Sequence, residues 1–348
     1  MDKIMSRIRR RKKIEKPEVI TDDNIDEHRE KVLKTGKKFK YPFQYSRHKV
    51  LINSVIIAAA ALIAFSGVTV LMLYHQQARS GFFYNLTRII PLPVARVNDD
   101  YVRYSDYLLR LRSSIHYMGA GGSEVDITTP EGADLIEYTK RQELTEAEKD
   151  TFASRLASEL NIAVSDEEID DFINLARRGG EVELSLESFE QAVLRDLYDQ
   201  SLDEFKIFVH YNLLRSKVAK EIDIDAKTKA EEILRDVAAN SPGFNDKAKV
   251  VSDDEVTRAN DGRVIDVDLA RQIVDPNGLI TTAKRLEKGQ VSEIIAGVDG
   301  YYIVRLDVKT ESAISYSVIK IAFREFERRF QELKNGGNIQ EYITVKSE

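Results

Sequence analysis

Cysteine is absent from this chain of 348 residues, and histidine occurs only five times. Without cysteine the protein has neither disulfides nor thiol chemistry, so its stability must come from packing. His48 and His75 lie at opposite ends of an apolar run, and the remaining histidines form no ligand pair at helical spacing. The Gly-rich stretch 119–123 is not followed by the Lys-Ser or Lys-Thr of a phosphate-binding loop. We therefore expect no metal, no cofactor and no nucleotide.

A long apolar run is present from Val50 to Tyr74, and it contains no charged residue. As a helix it would reach about 37 Å, enough to cross a hydrocarbon core of about 30 Å. Residues 1–49 contain 16 Lys and Arg against 8 Asp and Glu, whereas residues 50–348 contain 36 against 50. By the positive-inside rule, the N-terminus is cytoplasmic and the acidic C-terminal body is extracytoplasmic. The sequence predicts a single-pass protein of the plasma membrane.

Two features of the N-terminal region have a second interpretation. The apolar run is a signal anchor or a cleaved signal peptide, and its length and late position favour the anchor. The basic run from Arg7 to Lys13 suits anionic lipid or nucleic acid. Next to a membrane span, attraction to lipid headgroups and a role in topology are the simpler interpretation. We therefore expect membrane lipid, and no nucleic acid, as a partner.

Beyond the span, the patterns indicate one helical region and one region of mixed structure. A short hairpin pattern at Val94–Arg103 precedes several amphipathic helices, two of which begin with the capping boxes Ser165–Glu168 and Ser201–Glu204. The predicted class is α+β with a single N-terminal transmembrane helix. The predicted divisions are a cytoplasmic basic tail at 1–49, the span at 50–74, a juxtamembrane linker at 75–93, a helical domain at 94–224, an α+β domain at 225–312, and a C-terminal strand and helix at 313–348.

The helical region resembles the N-terminal domain of SurA-type and PrsA-like membrane-anchored periplasmic chaperones. The similarity lies in Val94–Asp99, in Leu160–Asp170, and in Ser201–Phe205 leading to Leu213-Leu214. In that family the helical domain forms an apolar cradle for unfolded polypeptide. A parvulin-type peptidyl-prolyl isomerase domain with an antiparallel sheet follows it.

The region after Ile224 resembles such a parvulin domain in order and spacing. Ser252-Asp253-Asp254 is similar to the family's Ser-Asp-Asp/Cys segment. Leu286–Ile295, followed by Gly300–Val304, is similar to the family's ending Leu-x-x-Gly-Glu-Val-Ser and Gly-Tyr-His-Ile-Ile. The resemblance therefore implies a small α+β isomerase fold here.

The resemblance also assigns candidate site residues, although both family histidines are replaced. Tyr302 stands at the second histidine and Asp254 at the acidic position, so both are candidate catalytic residues. The candidate substrate-binding residues are Leu279, Val318 and Ile303, with Leu279 at the family's pocket phenylalanine. Asp275 falls at the pocket methionine, so the apolar shelf for proline is thinned.

The family's first strand, which carries the first histidine, is missing from its usual place. The alternating segment Ile314–Ile321 resembles that strand and puts Val318 at the histidine. Either this segment fills the gap in the sheet as a circular rearrangement, or it is a separate strand before the last helix.

These features predict a membrane-anchored folding factor of the cell envelope that holds unfolded polypeptides, with weak or lost isomerase activity. Its expected partners are unfolded or nascent secreted polypeptides and, near the translocation site, the protein translocation machinery. An active peptidyl-prolyl cis-trans isomerase and a non-catalytic envelope adaptor remain as alternatives.

Overall fold

The computed structural model describes residues 21–22, 24–39, 42–122, 126–178, 183–269 and 275–346, and it divides into two compact units at Leu71. The first unit contains helix α1 at Ile25–Phe39 and helix α2 at Pro42–Val70. The basic run from Arg7 to Lys13 lies outside the described residues.

One helix of the described chain, Lys49–His75, is long and apolar enough to cross a membrane. Its most apolar window has a mean hydropathy of 2.5. Its few polar groups are compatible with an apolar setting, as in Ser54, whose hydroxyl donates to the carbonyl of Val50 at 2.8 Å. The predicted class placed this helix at the N-terminus. In the structure it is not N-terminal, because a basic tail and α1 precede it.

The second unit begins with a helical part. Its elements are α3 (Gly81–Ile89), β1 (Pro93–Val97), β2 (Asp100–Arg103), α4 (Tyr104–Tyr117), α5 (Pro130–Leu160), α6 (Asp166–Ala176), α7 (Leu186–Phe189), α8 (Asp196–Tyr198) and α9 (Leu202–Ile222). The two predicted capping boxes are confirmed, since Ser165 and Ser201 each exchange hydrogen bonds with the glutamate three residues later. These local signals set where α6 and α9 begin.

The segment 75–93, predicted as a juxtamembrane linker, contains packed structure. Tyr84 and Thr87 of α3 are buried, and Leu73 is fully buried just before it. Tyr74 donates its hydroxyl proton to the carbonyl of Pro93 at 2.6 Å. Aromatic and aliphatic side chains in this stretch belong to the core of the helical part, so the stretch cannot act as a free tether.

A sheet part follows directly after α9. Its elements are α10 (Ile224–Ala239), α11 (Phe244–Val251), α12 (Glu255–Arg258), β3 (Arg263–Asp268), α13 (Leu279–Arg285), β4 (Ile295–Ala296), β5 (Gly300–Lys309) and β6 (Ala313–Ala322). The strands form an antiparallel sheet in the order β3-β6-β5-β4. The C-terminal strand β6 therefore lies inside the sheet, between β3 and β5.

The chain then returns to the helical part through α14 (Glu325–Asn335) and β7 (Ile339–Glu341). β7 pairs antiparallel with β1, and Val97 lies opposite Ile339. Phe152 of α5 packs against Phe326 and Phe330 of α14, with ring centroids 5.3 and 6.1 Å apart. The helical part is thus closed by the end of the chain, with the sheet part inserted between α9 and α14. Mixed helical and antiparallel sheet structure, as predicted, is confirmed.

Candidate functional site

The alternation of β5 sends successive side chains to opposite faces of the sheet. Tyr302 lies opposite Lys320 of β6, and Val304 lies opposite Val318. These side chains share the face that is covered by α13, where Tyr302, Val304 and Val318 belong to one apolar cluster. Two predicted site residues, Tyr302 and Val318, are thereby brought to the same face.

Ile303 lies on the opposite face of the sheet from Tyr302, and its role in substrate binding stays a prediction. It is fully buried with Phe244 and Ile319 beneath α10 and α11. Ile303 follows Tyr302 directly in β5, so its side chain points to the opposite face of the sheet. The resemblance alone does not indicate on which face a residue lies.

Tyr302 is held in a polar node, which we define as Tyr302, Asn277, Asp299 and Lys320. The Tyr302 hydroxyl donates to Oδ1 of Asp299 at 2.6 Å and accepts from Nδ2 of Asn277 at 3.2 Å. Lys320 pairs with Asp299, and its Nζ lies 5.8 Å from the centroid of the Tyr302 ring. The node fixes the phenol in one orientation.

The protonation states of the node follow from its burial and its charges. Burial, together with the hydrogen bond to Asp299, raises the pKa of Tyr302 far above its usual value. Burial disfavours ionisation of Asp299, but the hydrogen bonds from Lys320 and Tyr302 outweigh it and lower the pKa of this carboxyl. At neutral pH Tyr302 is therefore a fixed neutral donor and not a general base.

Close packing at the node also depends on a glycine. A Cβ on Gly297 would lie 2.5 Å from Oδ1 of Asn277 and 2.6 Å from Cε2 of Tyr302. Asn277 accepts the amide proton of Val298 at 2.8 Å, so the turn after β4 is tied to the node. Any larger residue at 297 would push Asn277 and Tyr302 apart.

Asp254, the other candidate catalytic residue, has a local role in the structure. Its carboxylate accepts from the hydroxyl of Thr257 at 2.6 Å, and its carbonyl accepts from the amide of Arg258 at 2.9 Å. It therefore starts the short helix α12, and it contributes to Tyr302 only a weak electrostatic effect that raises the pKa of the phenol.

Leu279 lines a cleft of about 550 Å³ on the Tyr302 side of the sheet. We call this the sheet cleft. Its apolar lining is Val264, Val267, Pro276, Leu279, Ile280 and Tyr316, and its polar lining includes Asp266, Asp275 and Asn277. Val318 does not line it, because the side chain is only 3% exposed and lies in the core below. Asp275 caps α13, since its Oδ2 accepts from the amide of Thr281 at 2.8 Å.

A second cleft, of about 560 Å³, lies in the helical part. We call it the aromatic cleft; its aromatic lining is Tyr117, Tyr138, Tyr198, Phe205 and Phe208. The rings of Tyr117 and Tyr198 stack at 5.1 Å with an interplanar angle of 7°. Glu143 supplies a carboxyl group that accepts from the hydroxyl of Ser114 at 2.5 Å, and burial raises its pKa. Aromatic walls with a few polar groups are typical of sites that bind apolar groups.

Three residues of the polar node, Asp299, Asn277 and Lys320, were not predicted from the sequence. Asp299 could have been found from its position three residues before Tyr302, at the turn into β5. Lys320 was visible as a charged residue in an otherwise apolar alternating strand. Its contact with Tyr302, however, depends on the pairing of β5 with β6, which no local pattern gives.

Comparison with known protein families gives one match. Residues 211–308 match the rotamase family, described as the PPIC-type PPIASE domain. The match runs from the second half of α9 to β5, so the strand β6 that completes the sheet lies beyond it. No histidine occurs within the matched residues. No curated protein matches the chain. The match supports a parvulin-containing protein with a function of the folding-factor or isomerase type.

Proposed function

We propose that this protein is a membrane-anchored extracytoplasmic folding factor that holds unfolded polypeptides and has little or no prolyl isomerase activity. The observation that carries the proposal is the contrast between two places. The position of the family's histidine is filled by Tyr302, whose hydroxyl is tied to Asp299 and Asn277. The aromatic cleft, by contrast, leaves a space of about 560 Å³ between aromatic walls in the part of the chain that the structure describes.

Weak isomerase activity follows from the chemistry of the polar node. Rotation about a peptide bond has a barrier of about 18–20 kcal/mol, and an enzyme must stabilise the rotated amide more than the planar one. The groups of the node already satisfy one another, and Lys320 is paired with Asp299. Binding energy from the aromatic cleft would act on planar and rotated amides alike, so it would hold a client without accelerating exchange.

The membrane anchor supports a role beside the site where polypeptides emerge. The apolar helix Lys49–His75 has the length of a single span. The basic tail favours a cytoplasmic N-terminus and an extracytoplasmic body. A tethered binding site has a high effective concentration for chains that emerge nearby. The proposed partners are nascent secreted or membrane polypeptides and the protein translocation machinery, and the likeness to SurA-type chaperones remains part of this proposal.

The proposal is tested with the full-length protein in lipid nanodiscs. A denatured, proline-free client is diluted into buffer, and light scattering follows its aggregation. We expect suppression of aggregation, and no catalysis in a parallel assay of cis-trans exchange in a proline peptide. Tyr138→Ser should weaken protection several-fold, because this half-exposed ring lines the aromatic cleft. The matched control is Tyr101→Ser, an exposed tyrosine outside that cleft, which should leave protection unchanged.

The alternative function of an active isomerase is favoured by the sheet cleft, which retains an apolar floor with Leu279. Catalysed exchange above background that is lost in Tyr302→Phe would establish it and contradict our reading of the polar node. Absence of both protection and catalysis would favour the envelope adaptor, which binds a folded partner.

A further inference from the structure

We propose that three cavities of the unit 72–348 form one continuous track, which takes a single extended polypeptide segment. The track runs from the aromatic cleft, along α9, to the sheet cleft. This inference rests on the proposed function, because it takes an unfolded chain as the occupant. It adds that the helical part and the sheet part bind the same segment at the same time.

The middle of the track is a third cavity of about 510 Å³. Asn212 lines both this cavity and the aromatic cleft, and Pro276 lines both this cavity and the sheet cleft. The walls of the middle cavity include Phe172 from α6 and Phe326 from α14. The shared residues Asn212 and Pro276 therefore connect the three cavities in a row.

One face of α9 forms the floor of the first two cavities. The floor residues follow one another at spacings of three or four, which keeps them on one side of a helix: Phe205, Phe208, Asn212, Ser216 and Ala219. None of them is fully buried, whereas Val209 and Val218 on the neighbouring side enter the core. From Phe205 to Ala219 the helix rises about 21 Å.

The dimensions of the track select its occupant. An extended chain advances about 3.3 Å per residue, so about six residues lie along α9 alone and on the order of ten along the whole track. A small molecule would fill one cavity and leave the others, and a folded domain would not enter them. The occupant that uses the whole length is an extended polypeptide.

The charges along the track give the occupant a direction. In the middle cavity the charges are already paired, as between Lys149 and Glu327 at 3.0 Å. At the rim of the sheet cleft, Asp266 and Asp275 have no cationic partner among the residues that the structure describes. A segment with aromatic residues at one end and a lysine or arginine at the other complements this arrangement.

The test compares peptide lengths on the full-length protein in nanodiscs. The probes are a labelled peptide of about twelve residues, aromatic in one half and lysine-containing in the other, and its two separate halves of about six residues each. Fluorescence anisotropy should give the long peptide a Kd at least about tenfold below that of either half, because one occupant bridges two linked sites.

A substitution in the middle of the track separates bridging from independent binding. Ser216→Trp fills the middle cavity and should return the long peptide to the affinity of its better half, with binding of the halves unchanged. Unchanged binding of the halves also reports that the variant is folded, and Ser216→Phe provides a second variant. The matched control is Glu221→Trp, an exposed position on the opposite side of α9, where no peptide should be affected.

A cross-linking readout gives the direction. A photoreactive group at the aromatic end of the long peptide should label α4 or α8, and one at the lysine end should label residues 275–280. Equal affinity of the long peptide and its better half, or no effect of Ser216→Trp on the long peptide, would overturn the track and leave the proposed function standing. Failure of every peptide to bind would overturn both.

Discussion

The hydroxyl of Tyr302 links two separate segments of the chain, and both come before β6 in the sequence. It connects Asn277, which precedes α13, with Asp299, which precedes β5, and Asp299 in turn holds Lys320 of β6. A buried hydrogen bond to a charged acceptor contributes about 1.5–3 kcal/mol, and a group that loses its partner is penalised. The phenol of Tyr302 therefore has a structural role in linking these segments.

Tyr302→Phe tests this structural role. The change keeps the ring and removes the hydroxyl, so Asn277 and Asp299 each lose one partner. We expect a loss of about 1–2 kcal/mol in the free energy of unfolding, measured by urea titration of the far-ultraviolet circular dichroism, with no loss of client protection. The adjacent Tyr301→Phe is the control, because this side chain packs on Phe323 with no hydroxyl hydrogen bond to a described residue. Equal effects of the two changes would contradict the role given to the node.

At the scale of elements, Asp223 connects the helical part with the sheet part. Its side chain is buried, and Oδ1 accepts from the amide of Ala226 at 2.9 Å in the first turn of α10. Oδ2 accepts from the amides of Arg324 and Glu325, at 2.6 and 3.0 Å, where α14 begins. One carboxylate thus satisfies the free amides of two helices whose starts are about a hundred residues apart in sequence.

Asp223→Ala should consequently cost more than the loss of an ordinary helix cap. We expect on the order of 3 kcal/mol, because three amide donors lose their acceptor near the protein interior. Ser165→Ala, which removes the cap of one exposed helix, should cost about 1 kcal/mol. Asp223→Asn keeps one acceptor oxygen and should lie between them. Urea midpoints of the three variants give the comparison, and an equal loss at Asp223 and Ser165 would show that the double cap has no special weight.

Elements governed by local signals were predictable from the sequence. The capping boxes at Ser165 and Ser201 are complete within four residues, and both helices begin where expected. Of the segments that resembled a parvulin, Leu286–Ile295 follows α13 and reaches β4, and Gly300–Val304 lies in β5. The burial of Tyr84 and Thr87 within the segment 75–93 was not predictable, because it depends on distant partners and not on the pattern of the segment itself.

At the scale of the whole molecule, the order of the elements along the sequence differs from their order in space. The pairing of Val97 with Ile339 closes the helical part across more than two hundred residues. The pairing of Tyr302 with Lys320 builds the polar node, and neither residue signals the other locally. These long-range registers determine both the closure of the fold and the contacts of Tyr302 in the polar node. A sequence pattern could predict each strand but not which strands become neighbours.

A buried, unpaired carboxyl group in α5 lies close to charged groups of the C-terminal segment. Glu148 of α5 is completely buried, and neither oxygen has a hydrogen-bond partner within the described structure. Burial, and then the negative charge of Glu341 in β7, raise its pKa to about 7, against opposing effects of Lys334 and Arg141. Since Lys334 belongs to α14 and Glu341 to β7, the pKa of Glu148 depends on how the returning C-terminal segment packs against α5.

The stability of the whole protein should therefore fall as the pH rises from about 4.5 to about 7. Below that range the carboxyl is protonated in both the folded and the unfolded state; within it, only the folded state keeps the proton, and so stability is lost until the folded group also ionises. The total is about 3 kcal/mol at 1.36 kcal/mol per pH unit. Glu148→Gln should remove this slope and be the more stable form at pH 8, as measured by urea unfolding across the pH range. Glu159→Gln, an exposed position on the same helix, should retain the slope of the natural protein. Parallel curves for the natural protein and Glu148→Gln would mean that the buried carboxyl does not control the pH dependence.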